Sequence, residues 1–388
     1  MISEPLCSPC EVHSNEVISK SPGQLAAVVF SALYALCAFT LGYFYSIPSF
    51  DSFALLPLVM LGLLALMREG KYKLFIVSLT LAVFSNFLIG FYICVFTAIM
   101  FGSHCIIQKL NIQNFLRKLG LIAFSSAAAI GMTAVLTYPT FFAMQNTVTA
   151  SEKGPDSIIF YNNFASVLGN FITYTPPVIM DSLPFPIGQI NLYSGIICVL
   201  FIALFLRSSK ISRREKIVHL CILAFIVLSC NLNVFDYFWN GFNFTFGIYF
   251  RFSFLVSFML VTMAYRVFIF TETLNRRDIL FMGMITAFFL LMGVIGYQKT
   301  PSVIFALVLG VLYLLILYFL HRKKTGRQQT VLNAVFLAVI VAELFVSSLI
   351  GVKTTKLENR NDYHDRYGEV QKLLNMRQPV DLSALADS

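Results

Sequence analysis

The 388-residue chain is 58% hydrophobic and only 12% charged, with 40 phenylalanines and a mean hydropathy of +0.78. Soluble domains carry about 25% charged residues, so the chain has roughly half the charge a water-facing surface needs, which excludes a soluble domain. The net charge of +9 is spread in short clusters between apolar runs, not gathered on one soluble face, which argues against nucleic acid as a partner.

Residues 1–23 read as a polar cytoplasmic leader, without the basic and apolar regions of a signal peptide. They hold Cys7 and Cys10 in "CSPC", a lone pair with no second pair to complete a zinc site. The other cysteines lie in or beside apolar runs, where cysteine acts as a small hydrophobe. From residue 24 to 350 the chain predicts an all-α, polytopic helical membrane domain. About eleven crossing segments are expected, at 24–47, 52–67, 73–86, 89–107, 117–138, 191–206, 217–231, 249–270, 279–297, 302–320 and 330–350. The third and fourth form either two short helices meeting at Asn86–Gly90 or a re-entrant pair. Asn86 and Gly90 read as a helix break, and Asn191, Tyr193 and Gly195 as turn and close-packing residues opening the sixth span. A long outer loop, 139–190, contains "IIFYNNFASVLGNFITYTPP", which predicts a short helix at the interface. The tail, 351–388, is expected on the outer side, as the start of a soluble domain.

Most of the 28 lysines and arginines fall in alternate loops, around residues 68–73, 109–118, 207–216, 266–277 and 322–327. The intervening loops hold only Lys153, Arg251 and Lys299. Positive charge in short loops stays cytoplasmic, so the expected topology has the N-terminus inside and the tail outside.

One stretch stands apart: "WNGFNFTFGIYFRFSF", from Trp239, puts Arg251 among aromatics where a span begins. Trp239 and Tyr249 suit either an interfacial belt, with Arg251 snorkelling to headgroups, or a ligand groove in which Arg251 meets a phosphate. Acids are scarce: Asp51, Asp156, Asp181 and Asp236 all lie on the expected outer side, either as solvated turn residues or as a general base. Asp236 is favoured by its closeness to Trp239. Glu343 is embedded in "LAVIVAELFVSSLI", and charges within spans are costly. It is expected to pair with Arg251 or another outer polar group, or else to be neutral between helices. The histidines lie apart, and His364 in "NDYHDR" fits a polar tail better than a metal site.

Several islands resemble the YfhO family of bacterial membrane proteins. They include "ALYALCAFTLGY", "FSNFLIGFYICVF", "INLYSGIICVLFIALF", "WNGFNFTFGIYFRFSFLVSFMLVTMAY" and "AELFVSSLIG". The resemblance implies a GT-C-like fold, that of glycosyltransferases using lipid-phosphate sugars at the outer face of the bacterial plasma membrane. It further implies an undecaprenyl-phosphate sugar donor, a cell-wall polymer acceptor such as lipoteichoic acid, and membrane lipids as surroundings. On that reading Arg251, Trp239, Asn240 and Tyr249 bind the donor phosphate and lipid. Asp236 or Asp51 is the catalytic acid, with Glu343, Asn86, Asn191 and Tyr193 structural or paired. The sequence departs from the family at Asn240, where histidine is expected. It also reads as shortened at both ends, without the first acidic outer loop and most of the extracytoplasmic domain. No cofactor is identified; a divalent metal is compatible with the chemistry, but nothing in the sequence supports one. The alternative readings are a transporter or lipid flippase, and a non-catalytic part of a larger complex.

Overall fold

A computed structural model describes residues 22–44, 46–146, 154–172, 190–243, 249–268, 274–296, 300–322, 326–354 and 367–372. Cys7, Cys10, Asp181 and His364 lie outside the described residues. The first apolar run forms α1 (Pro22–Ala35) and α2 (Ala38–Gly42), with a break at Leu36–Cys37. Then come α3 (Pro48–Glu69), α4 (Lys73–Ser85), α5 (Phe87–Gln108), α6 (Ile112–Met132) and α7 (Ala134–Gln145). The short α8 (Phe164–Gly169) precedes α9 (Ile196–Arg207), α10 (Arg213–Ser229) and α11 (Asn233–Trp239). A 3-10 turn, Arg251–Ser253, leads into α12 (Phe254–Phe268), followed by α13 (Arg276–Ile295), α14 (Thr300–His321) and α15 (Gly326–Thr354). Among the described residues there is no strand, only an isolated antiparallel bridge between Phe160 and Leu232.

The all-α membrane fold is as the composition requires, but the count of eleven crossings is not supported. Among the described residues, eight stretches are long and apolar enough to cross a bilayer. Segments 73–86, 191–206 and 217–231 are helices of 13, 12 and 17 residues. At 1.5 Å per residue these reach only about 18–26 Å, short of the ~30 Å hydrocarbon layer. Segment 73–107 is two helices, because the Asn86 backbone is extended (φ −153°) and its side chain caps α5 by accepting from the Ile89 N–H at 3.0 Å. The 139–190 loop likewise begins in helix, since α7 runs to Gln145.

Helix ends follow local chemistry. Gly70 ends α3 in the left-handed region (φ 72°), and Asn275 with Asp278 forms a capping box on α13. At the bundle centre α9 packs on α12, and both are buried on nearly every face. On one flank α13, α14, α15 and α1 enclose them; on the other α10 and α5 lead out to α4, α3 and α6. Phe124, Val135 and Leu280 are exposed apolar side chains of the outer helices, as lipid contact demands. Ion pairs join Arg266 to Glu215 at 2.6 Å and Arg207 to Asp278. They tie the basic ends of α12 to α10 and of α9 to α13, so one end of the bundle gathers these basic loops.

Candidate functional site

At the other end, where α10 finishes and α12 starts, four sequence-distant segments converge. Asn231 and Asn233 follow α10 and use their side-chain amides as substitute backbone. Asn231 Oδ1 accepts from the Asn162 N–H at 2.8 Å and its Nδ2 donates to the Asn162 carbonyl at 3.0 Å. Asn233 Oδ1 accepts from the Ile159 N–H at 2.9 Å and its Nδ2 donates to the Ser157 carbonyl at 2.8 Å. Together with the Phe160–Leu232 bridge, these bonds hold 157–162 against α11. Tyr161 is thereby aimed at Asp236, to which its hydroxyl donates at 3.3 Å.

Asp236 is buried (3% exposed). Asn240, one turn on, donates Nδ2 to the Asp236 carbonyl at 2.7 Å and to its carboxylate at 3.1 Å. Asn240 Oδ1 accepts from the Tyr92 hydroxyl of α5 at 2.9 Å. Burial pushes the Asp236 carboxyl up to about 6, against the Tyr161 and Asn240 hydrogen bonds and the nearby Arg251 charge, which pull it down. Burial and the same carboxylate raise the Tyr161 phenol. Arg251 is half-buried in the 3-10 turn. The Tyr249 carbonyl accepts from the Tyr43 hydroxyl at 2.5 Å, which ties the end of the first apolar run to the start of α12.

Trp239 is fully buried and stacks on Phe252, with ring centroids 4.9 Å apart at 12°. It is therefore not part of an interfacial belt: packing against Tyr92, Phe225 and Phe252 takes it out of reach of headgroups. Its Nε1 has no partner among the described residues. Phe242 (φ 62°) and Phe250 (φ 56°) hold left-handed backbone that bulky residues avoid, and both lie within the Trp239–Arg251 segment. Beside it lies a cavity of about 250 Å³ with an amide wall of Asn240, Asn243 and Gln145 and an apolar wall that includes Phe91 and Phe141. Asn240 thus joins the buried acid, which does not line the cavity, to an open space.

The other sequence-selected residues lie elsewhere. Asp51 is exposed in the first turn of α3, and Asp156 is exposed near the Asn233 contact. Asn86 is the α5 cap. Glu343 does not pair with Arg251. Its Oε1 accepts from the Tyr193 hydroxyl at 2.5 Å and the Ile196 N–H at 2.7 Å, and its Oε2 accepts from the Tyr313 hydroxyl at 2.6 Å. The carboxylate caps α9 from a neighbouring helix, because Gly195 (φ 93°) leaves the first helical N–H open. Asn191 is buried beside this turn, its Oδ1 without a partner among the described residues.

Sequence reasoning missed Tyr92, Tyr161, Asn231 and Asn233. The only signals were the tyrosine within "NFLIGFYICVF" and the paired asparagines of "CNLN" after an apolar run. Among the described residues no three His, Cys, Asp or Glu side chains gather as metal ligands would.

No curated protein and no solved structure matches the chain. The family described as bacterial membrane protein YfhO matches residues 14–383, nearly the whole length. With its all-α, multi-helix membrane architecture, this chain belongs to the YfhO family of bacterial membrane proteins.

Proposed function

We propose that this multi-pass protein of the bacterial plasma membrane acts on a prenyl-phosphate sugar at the outer face. On this reading it follows the GT-C pattern of moving a sugar from an undecaprenyl-phosphate donor to a cell-wall polymer such as lipoteichoic acid. The carrying observation is the Asp236–Asn240–Tyr92 chain reaching a cavity wall, with the Arg251 charge acting on it, at the end away from the Arg266–Glu215 pair.

In such a transfer an acceptor hydroxyl attacks the anomeric carbon, and the sugar–phosphate C–O bond breaks. The prenyl phosphate leaves with the electron pair, and the hydroxyl proton passes to the departing phosphate or to water. Arg251 supplies a fixed cation for the phosphate. Asn240 presents its amide to sugar hydroxyls, with Asp236 and Tyr92 as positioning residues behind it. Tyr249 lies two residues before the cation, and Trp239 stacks on Phe252 beside it in the chain. A purified sample should bind a radiolabelled prenyl-phosphate sugar saturably, and Arg251→Ala should weaken binding about tenfold. Absence of saturable binding at high donor concentration would reject the reading.

A transport reading is favoured by one observation, the break between α1 and α2, where the Ala38 N–H donates to the Tyr193 carbonyl near buried Glu343. Discontinuous helices beside a buried carboxylate are the pattern of secondary transporters. Counterflow of prenyl-phosphate sugar in proteoliposomes, undiminished by Arg251→Ala, would favour transport over transfer.

A further inference from the structure

Two concavities lie on either side of one stripe of α12, the first at the end of the bundle that carries the Arg266–Glu215 pair, and neither is lined by Asp236 or Asn240. The first, of about 280 Å³, sits between α3, α5, α10 and α12. Its polar mouth holds Arg68, His104, Gln108, His219 and Arg266, and its floor is apolar, with Met60, Met67, Met100 and Met263. The acid in its lining, Glu215, is engaged by Arg266 at 2.6 Å, and its backbone carbonyl meets His219 Nδ1 at 2.8 Å. Arg68 stands exposed at the rim, close enough with Lys118 to act on the His104 ring. The mouth therefore carries a surplus of positive charge. Methionine side chains adapt to a chain with no fixed shape, which suits the floor to a hydrocarbon tail.

The second concavity is a slot of about 300 Å³ between α1, α3 and α12, with apolar walls that include Phe30, Tyr34, Val261 and Tyr265. It shares Phe258 and Thr262 with the first. Ser31, Pro57 and Thr262 are exposed at its edge, so the slot opens sideways on the lipid-facing side of the bundle. A cationic, hydrogen-bonding mouth that shares Phe258 and Thr262 with an apolar slot fits an amphiphile with an anionic head. A free anion would fill only the mouth, and a neutral lipid only the slot.

We propose that this end of the bundle binds one anionic phospholipid, its phosphate at the Arg68–His104 mouth and an acyl chain along the slot past Phe258 and Thr262. Basic pockets between spanning helices recognise anionic headgroups in this way. The site is independent of the sugar-transfer reading, since it shares no residue with that cluster.

Native mass spectrometry of the full chain in detergent tests the proposal, with titrations of dioleoyl phosphatidylglycerol, dioleoyl phosphatidylcholine and inorganic phosphate. Saturable binding of a single phosphatidylglycerol is expected, about tenfold tighter than phosphatidylcholine, with no competition by inorganic phosphate. Arg68→Gln, at an exposed position, should weaken phosphatidylglycerol about tenfold and leave phosphatidylcholine unchanged. Thr262→Trp, also at an exposed position, should block the slot and weaken both lipids. Equal affinity for the two lipids, full competition by phosphate, or unchanged phosphatidylglycerol binding in either variant would overturn the proposal. Thermal unfolding of each variant checks that it is folded.

Discussion

At Asp236, removal from water opposes charge, while the Tyr161 hydroxyl, the Asn240 amide and the Arg251 cation favour it. Desolvation wins, and the carboxyl rises from an ordinary 3.8 to about 6. The consequence for stability has a definite sign. Below about pH 4 the folded and unfolded carboxyls are both protonated and the site costs nothing. Between about pH 4 and 6 the unfolded chain ionises first, so stability falls as pH rises. Above about 6 the cost levels off at roughly 3 kcal/mol. Unfolding midpoints in detergent should therefore show the native chain losing ground to Asp236→Asn across that window. A difference between the two that is constant with pH would mean Asp236 carries no such shift. Asn240 matters at this scale for another reason: it cannot take a proton near neutral pH, so it relays geometry, not charge, between Asp236 and the cavity.

Individual helices are placed by a few polar and small residues set in apolar faces. Glu343 of α15 receives donors from three sources: Tyr193, the Ile196 N–H of α9 and Tyr313 of α14. Glu343→Ala would strand all three in the core and should cost about 3–5 kcal/mol. Glu343→Gln should cost clearly less, because an amide oxygen still accepts at the α9 end while Tyr313 turns to accept. Denaturant unfolding in micelles reads both, and equal losses would show that the hydrogen bonds are not what holds α9. Close helix approach depends on glycine at Gly90, where an added Cβ would lie 2.6 Å from the Val83 Cα of α4. Gly90→Ala should destabilise by about 1–3 kcal/mol. Gly102→Ala in the same helix, with nothing within 4 Å, should be neutral or slightly stabilising. Equal melting of the two variants would rule out tight α4–α5 contact.

Across the whole molecule, charge divides the bundle into two unlike ends. Arg207, Arg266 and the Arg68 mouth lie at one end, and Asp236 with its amide and aromatic partners at the other. We propose, on the positive-inside rule, that the basic end faces the cytoplasm and that the transfer takes place outside. Membrane-impermeant maleimide should label Asp156→Cys in intact cells, and Ser209→Cys only after the membrane is opened, each read against the unaltered chain. Labelling of both from the same side would reject this orientation.

Membrane class, helix positions and the uneven spread of basic residues were legible in the chain because they are local quantities. Hydropathy over ~20 residues and the charge of short loops need no partner to be read. The Asn86 break and the short helix at Phe164–Gly169 were visible for the same reason, as turn chemistry acts within a few residues. The number of crossings was not legible: segments 73–86, 191–206 and 217–231 are helices of 13, 12 and 17 residues, and apolar content does not give a helix's length. The site itself needed tertiary structure. Tyr92 meets Asn240 across 148 residues, and Tyr193 meets Glu343 across 150. Burial, which raises the Asp236 carboxyl and takes Trp239 from the interface into the core, is a property of the packed bundle alone.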